Sequence, residues 1–280
     1  MPLDQGKIEE EEEKGTGSMS FFDHVDELRS HIVRSVIVLI GLVIIAFTYI
    51  DSLFKYAILG PINEDFLTYR LLCRFSEWMY QDARLCVQTI NLQLTNLQVQ
   101  GQFMAAFKIS LIAGFIASFP YLMWELWRFV KPALTSKEKN MATGLVTVCS
   151  LLFFSGVLFG YFVLSPISIN FFVSFQISDM IANQPTFQNV VSLITVLSVG
   201  TGLLFLLPVL MYFLARLGLL SSAFLKKYRR HAFLIIIILS AIVTPPDVIS
   251  QGILAIPIYL LYEMGLLVTK RVEAKREKFD

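Results

Sequence analysis

Residues 141–164 read MATGLVTVCSLLFFSGVLFGYFVL, without one charged side chain. A helix needs about 20 such residues to cross the ~30 Å hydrocarbon core of a bilayer. No Lys or Arg occurs from Asn140 to Ala215. Outward from there the pattern repeats. Of the chain's 280 residues 55% are hydrophobic, 24 of them Phe, and only 16% are charged. So few charges cannot cover so much apolar surface in water. Six stretches read as spans: Ile32–Ile50, Ile109–Leu126, Met141–Leu164, Val190–Ala215, Ala232–Pro246 and Val248–Thr269. The expected fold class is an all-α polytopic membrane protein with six transmembrane helices, because helices satisfy their own backbone groups in lipid.

A net charge of +1 identifies no partner, and no nucleic acid, cofactor or metal is expected. The placement of charge sets topology. Basic residues gather between spans two and three (Arg128, Lys131, Lys137, Lys139), between spans four and five (Arg216, Lys226, Lys227, Arg229, Arg230), and after span six (Lys270, Arg271, Lys275, Arg276, Lys278). The positive-inside rule puts all three regions, and both termini, in the cytoplasm. The chain then divides into a disordered acidic tail (1–19), a six-span membrane domain (20–269) with a structured outer loop (51–108), and a basic cytoplasmic tail (270–280). The acidic run Glu9–Glu13 is the opposite of a targeting signal.

Local patterns refine this. Ser20-Phe21-Phe22-Asp23 resembles a capping box, and Phe21, Val25, Leu28 and Ile32 share one helical face. An amphipathic helix on the inner surface should therefore run into span one. In the outer loop, Val87 to Gln100 alternates apolar and polar residues, which predicts a strand or hairpin. Phe75, Trp78 and Tyr80 suit the membrane interface. Cys73 and Cys86 share this loop and are either disulfide-bonded or free; Cys149 is a small packing residue in span three. Spans five and six read as short. The fifth has 15 residues, about 22 Å of helix, and the sixth has 15 uncharged residues before Glu263. Short spans imply a thinned bilayer or cover from a partner subunit.

Enzyme signals are missing. His24, His31 and His231 lie at inner edges and form no His-Glu-x-x-His; there is no Gly-x-Ser-x-Gly, phosphate-binding loop or Cys-x-x-Cys. An intramembrane hydrolase would lack its nucleophile–base pair. Candidates for intramembrane catalysis are few, namely Glu125, Arg128, Asp247 and Glu263, all nearer an edge than the middle. A secondary transporter or channel for a small solute is the alternative reading, but it calls for mid-span polar groups and usually internal repeats. Asp247, after Thr244-Pro245-Pro246, fits an N-cap of span six. With Thr244 and Gln251 it also forms a polar patch suited to a partner helix. Glu263 either snorkels to the inner interface or makes an intersubunit contact.

Two acid-bearing segments face the cytoplasm: His24-Val25-Asp26-Glu27-Leu28-Arg29, and Lys137-Glu138-Lys139. Glu138 is the only acid in the two basic inner loops. It is either a local ion-pair partner of Lys137, Lys139 or Arg128, or half of a site for a cationic ligand.

These segments resemble the TatC family, the large subunit of the twin-arginine translocase. The resemblance rests on His24-x-x-Glu27-Leu28-Arg29 and on Phe119-Pro120-x-x-x-Trp124-x-x-Trp127-x-Phe129-x-x-Pro132-Ala133-Leu134-x-x-x-Glu138-Lys139. Gly160-Tyr161-Phe162 with Pro166, Phe205-x-x-Pro208, and Thr244-Pro245-Pro246-Asp247-x-x-Ser250-Gln251-x-x-x-Ala255-x-Pro257 follow in order. The resemblance implies a cup-like bundle with cytoplasmic termini and short fifth and sixth spans, in the bacterial cytoplasmic membrane. It implies a receptor for twin-arginine signal peptides that exports folded proteins on the proton-motive force. Glu27 and Glu138 would accept the guanidinium groups, and Arg29 and Phe129 would shape the site. Pro61 matches a family proline. Thr244, Asp247 and Gln251 would meet TatA- or TatB-like single-span partners, in an oligomer with other copies. Two features depart from the family. Leu206 stands where many members carry a glutamate, and the outer loop with Cys73 and Cys86 is longer than usual.

Overall fold

A computed structural model describes residues 21–63, 65–80, 94–130, 142–178, 184–245 and 247–276. The first helix, α1 (Phe21–Thr48), runs unbroken from the expected surface helix into the first span. Ile32, Val33, Ile37, Ile40 and Ile44 stay exposed on it, as lipid-facing residues do. It packs along α3 (Gly101–Val130), the second apolar helix. The two backbones touch at Gly114. A Cβ added there would lie 2.6 Å from the Val43 side chain and 2.9 Å from the Val43 nitrogen. Between them stands α2 (Leu67–Tyr80).

The third apolar stretch is longer than its sequence reading. It comprises α4 (Ala142–Phe159), a π turn over Gly160–Leu164, and α5 (Ser165–Ser174). The sequence reading ended the span at Leu164, two residues before Pro166. Instead the helix widens and continues, as π bulges allow. Pro166 has no N–H to give the Phe162 carbonyl four residues back. The Thr68 hydroxyl, just inside α2, takes that place. The Tyr69 hydroxyl lies 3.0 Å from the carbonyls of both Pro61 and Pro166 and donates between them. Phe66 stacks on Phe162 and meets Tyr161 edge-on. The segment after α1 is thus built onto α5 through the atoms its prolines expose.

Next come α6 (Phe187–Leu204) and α7 (Leu207–Arg216). Pro208 cannot bond the Leu204 carbonyl, and the helix breaks at Phe205 and Leu206. Gly156 and Gly160 seat the third stretch against α6: a Cβ on Gly156 would meet the Gly202 Cα at 2.8 Å, and one on Gly160 the Leu197 carbonyl at 2.4 Å. This is the small-residue packing that lets helices associate in lipid. The chain ends with α8 (Ser222–Lys227), α9 (Arg229–Val243) and α10 (Val248–Arg276).

Five helical stretches are long and apolar enough to cross a membrane: Asp26–Thr48, Gly101–Val130, Gly144–Ser174, Phe187–Arg216 and Val248–Lys275. The protein is multi-pass. One further apolar helix, α9, fifth in chain order, has 15 residues, or about 22 Å, as short as its sequence suggested. Its partner is not short. α10 has 29 residues, or about 43 Å, because the charge at Glu263 is matched and does not end the helix. Of Val87–Gln100, residues 87–93 lie outside the described residues, and in the part from Leu94 on Thr95 forms a parallel bridge with Thr186. Two clusters fill the core. One joins α6, α7 and α10 through Leu197, Met211, Leu254 and Ile258; the other joins α3, α5 and α6 through Ile109, Ile169, Val191 and Ile194.

Candidate functional site

The functional residues divide between the two ends of the bundle. At one end α1 begins and α3 ends, beside the end of α7, as Trp127 against Phe213 shows. This end carries Arg34, Arg128, Arg216, Lys226, Lys227, Arg229 and Arg230, so it is the basic end. Here Glu27 lies one turn before His31 on α1. The His31 ring is buried, and its Nδ1 donates to Glu125 Oε2 of α3. Glu125 is 1% exposed, and its second oxygen accepts from the Tyr121 hydroxyl at 2.9 Å. His31 Nε2 stands 4.0 Å from Glu27 Oε1. Phe129 meets the imidazole edge-on, with ring centroids 6.2 Å apart.

The spacing explains the assembly. Tyr121, Glu125 and Phe129 recur every four residues and face one way from α3, while Glu27 and His31 do so from α1. A buried carboxylate is tolerated only when paired and hydrogen-bonded, and Glu125 is both. Glu27 differs, since 34% of its side chain is exposed. Its carboxylate can still accept a cation from outside, and a guanidinium fits such a group with two parallel bonds. Arg29 is exposed on the same helix. Arg128 lies over the Trp124 ring at 5.6 Å. Glu138, with residues 131–141, lies outside the described residues.

Glu263 also belongs to this end. Arg229 Nη2 donates to it at 2.6 Å, and the Tyr259 hydroxyl at 3.2 Å. It stands sixteen residues along the chain from Asp247, about 24 Å up a helix, and is no member of the polar patch. Further along α10, Glu273 accepts from the Ser222 amide at 2.8 Å, and the Tyr262 hydroxyl donates to the Leu225 carbonyl at 2.9 Å. These bonds hold α8 in place.

At the opposite end, Asp247 caps α10: its Oδ2 accepts from the Ser250 amide at 2.6 Å. Its Oδ1 is buried without a partner among the described residues. The Thr244 hydroxyl donates to the Ser240 carbonyl at 2.8 Å, and Ser250 and Ser168 hydroxyls bond at 2.7 Å. Gln251 reaches across to the Ile237 carbonyl of α9 at 3.1 Å. It helps line an open apolar groove of about 470 Å3 between α9 and α10, with Phe233, Ile237, Gly252, Ala255 and Tyr259. Thr244 and Asp247 are buried, so only Gln251 of the three lines a surface groove. Cys73 is disulfide-bonded and Cys149 is free; the remaining cysteine, Cys86, lies outside the described residues.

His31 was the residue that sequence reasoning passed over, since it matches no metal or catalytic motif. The available signal was the pair of four-residue repeats, Glu27-x-x-x-His31 and Tyr121-x-x-x-Glu125-x-x-x-Phe129.

Comparison with known proteins bears on the whole chain. The family model of the Sec-independent protein translocase protein TatC matches residues 23–257. The TatC of Blattabacterium sp. subsp. Periplaneta americana is 38% identical over 259 residues, covering 92% of this chain and 97% of its own. That of Carboxydothermus hydrogenoformans is 31% identical over 258 residues, covering 92% and 95%. The crystal structure of a twin arginine translocase receptor, TatC, in DDM superposes with a TM-score of 0.68 at 28% identity, covering 88% of this chain and 99% of that one. With the order of its helices and its motifs in agreement, this chain belongs to the TatC family of Sec-independent protein translocase components.

Proposed function

We propose that this protein is the receptor subunit of a twin-arginine translocase in the bacterial cytoplasmic membrane. It crosses the membrane six times, α9 being the short fifth span, and keeps both termini in the cytoplasm. The basic end is then the cytoplasmic face of a cup-like bundle. There Glu27 and Glu138 accept the two guanidinium groups of a signal peptide, with Arg29 and Phe129 bordering them. The observation that carries this reading is the Glu27 carboxylate, one third exposed and backed by a buried imidazole and carboxylate. The similarity to a solved receptor over most of both chains supports it. No nucleotide enters; the proton-motive force drives export of folded cargo.

TatA- or TatB-like single-span partners seat on the groove between α9 and α10. A helix of about 22 Å leaves part of a ~30 Å core unspanned, and a partner helix relieves that mismatch. Further copies complete the oligomer, and Cys73 pairs with Cys86 on the outer side.

The test is crosslinking of a twin-arginine signal peptide to membranes carrying Glu27→Ala, Glu138→Ala or both. Each change should weaken the crosslink and the pair should abolish it. An undiminished crosslink in the double variant overturns the binding site.

A further inference from the structure

We propose that His31 is a positioning residue of this site, orienting the Glu27 carboxylate so that the site prefers a guanidinium to an ammonium. The inference rests on Glu27 being an acceptor for the signal peptide.

Hydrogen-bond accounting motivates it. Both oxygens of Glu125 are occupied, one by Tyr121 and one by His31. Glu125 is therefore not offered to a ligand, and its buried position keeps water from replacing either bond. What it does is fix the His31 ring. An imidazole held at Nδ1 has one direction left for Nε2, and here that direction is Glu27, 4.0 Å away. The separation exceeds a hydrogen bond, so both Glu27 oxygens stay open to a ligand while the fixed imidazole beside one of them limits where the carboxylate can swing. Phe129 closes one side of the ring. Arg34 on α1 and Arg128 on α3 both lie within electrostatic reach of Tyr121, and Arg128 of Glu125 as well.

Orientation matters for one ligand chemistry and little for the other. A guanidinium is a planar fork that needs both carboxylate oxygens in its plane. An ammonium is a compact point charge that binds a carboxylate from many directions. Freeing Glu27 to rotate should thus weaken an arginine ligand more than a lysine one. A general loosening of the α1–α3 contact would weaken both alike.

The experiment uses the full-length protein in detergent and two synthetic signal peptides, identical except for Arg-Arg or Lys-Lys. Their dissociation constants are read by fluorescence anisotropy. His31→Asn retains a donor at the Nδ1 position for Glu125 but removes the nitrogen facing Glu27. It should lower the Arg/Lys affinity ratio about five- to tenfold, the scale of one misaligned charge-assisted hydrogen bond. An unchanged ratio, or an equal loss for both peptides, overturns the proposal. Should the Asn variant not fold, His31→Ser, which also removes the nitrogen facing Glu27, is read by the same ratio: a fall is expected, and an unchanged ratio or an equal loss for both peptides overturns the proposal. Glu27→Ala separates the two layers of argument. If Arg-Arg binding is undiminished in Glu27→Ala, the site itself is wrong; if it is weakened while His31→Asn keeps the ratio, only the role of His31 fails.

Discussion

Each end of the bundle buries a carboxylate, and the two are used differently. At the opposite end Asp247 spends one oxygen on the first turn of α10 and hides the other. Thr244 turns its hydroxyl back on its own helix. Those polar groups build the backbone junction between α9 and α10. At the basic end Glu125 gives both oxygens to side chains, Tyr121 and His31, and so ties α3 to α1. One acid terminates a helix; the other joins two helices and leaves Glu27 beside the joint, partly open. A polar residue in a membrane protein therefore has to be assigned by what its atoms are bonded to, not by its mere presence in a span.

This contrast can be broken by substitution. The largest effect is expected from Glu125→Ala, which leaves the buried His31 and the half-buried Tyr121 without their acceptor. Breaking a buried pair of this kind costs about 3–5 kcal/mol, read as thermal unfolding in detergent. A loss under about 1 kcal/mol would show that the joint between α1 and α3 is held by packing at Gly114 alone. Asp247→Ala should cost about 1 kcal/mol, the loss of an N-cap. Asp247→Asn should be near neutral, since Asn caps as well. A large loss in the Asn variant would mean that the charge of Asp247, rather than its cap, holds the opposite end. The smallest effect should come from Arg229→Ala. Its partner Glu263 is 28% exposed and Arg229 itself 47%, so the pair is worth less than about 1 kcal/mol. A loss of several kcal/mol would place that pair on the same footing as His31 and Glu125.

Much of the fold was legible because lipid simplifies the code. Uncharged runs marked the helices, and the gap between His231 and Asp247 gave the short α9 to within a few residues. The misreadings share one cause, a local signal satisfied from far away in the sequence. Glu263 reads as the end of an apolar segment until Arg229, 34 residues earlier, neutralises it. The third span reads as ending at Leu164 until Thr68, 94 residues before Phe162, takes over the carbonyl that Pro166 orphans. His31 and Glu125 are likewise 94 residues apart. Each looked unremarkable alone, because the chemistry that defines it is supplied by the other. Glu27 could be singled out because its segment repeats a family motif; its neighbour His31 could not.

The bonds from Thr68 and Tyr69 to the proline-exposed carbonyls have a mechanical consequence. They rivet α2 to the junction of the π turn with α5 at two adjacent points. Two rivets fix an angle where one would leave a hinge. α2 cannot swing about the third apolar stretch without breaking one of the two bonds, so the angle between them is set by two neighbouring hydroxyls rather than by the length of the segment that joins the first two spans.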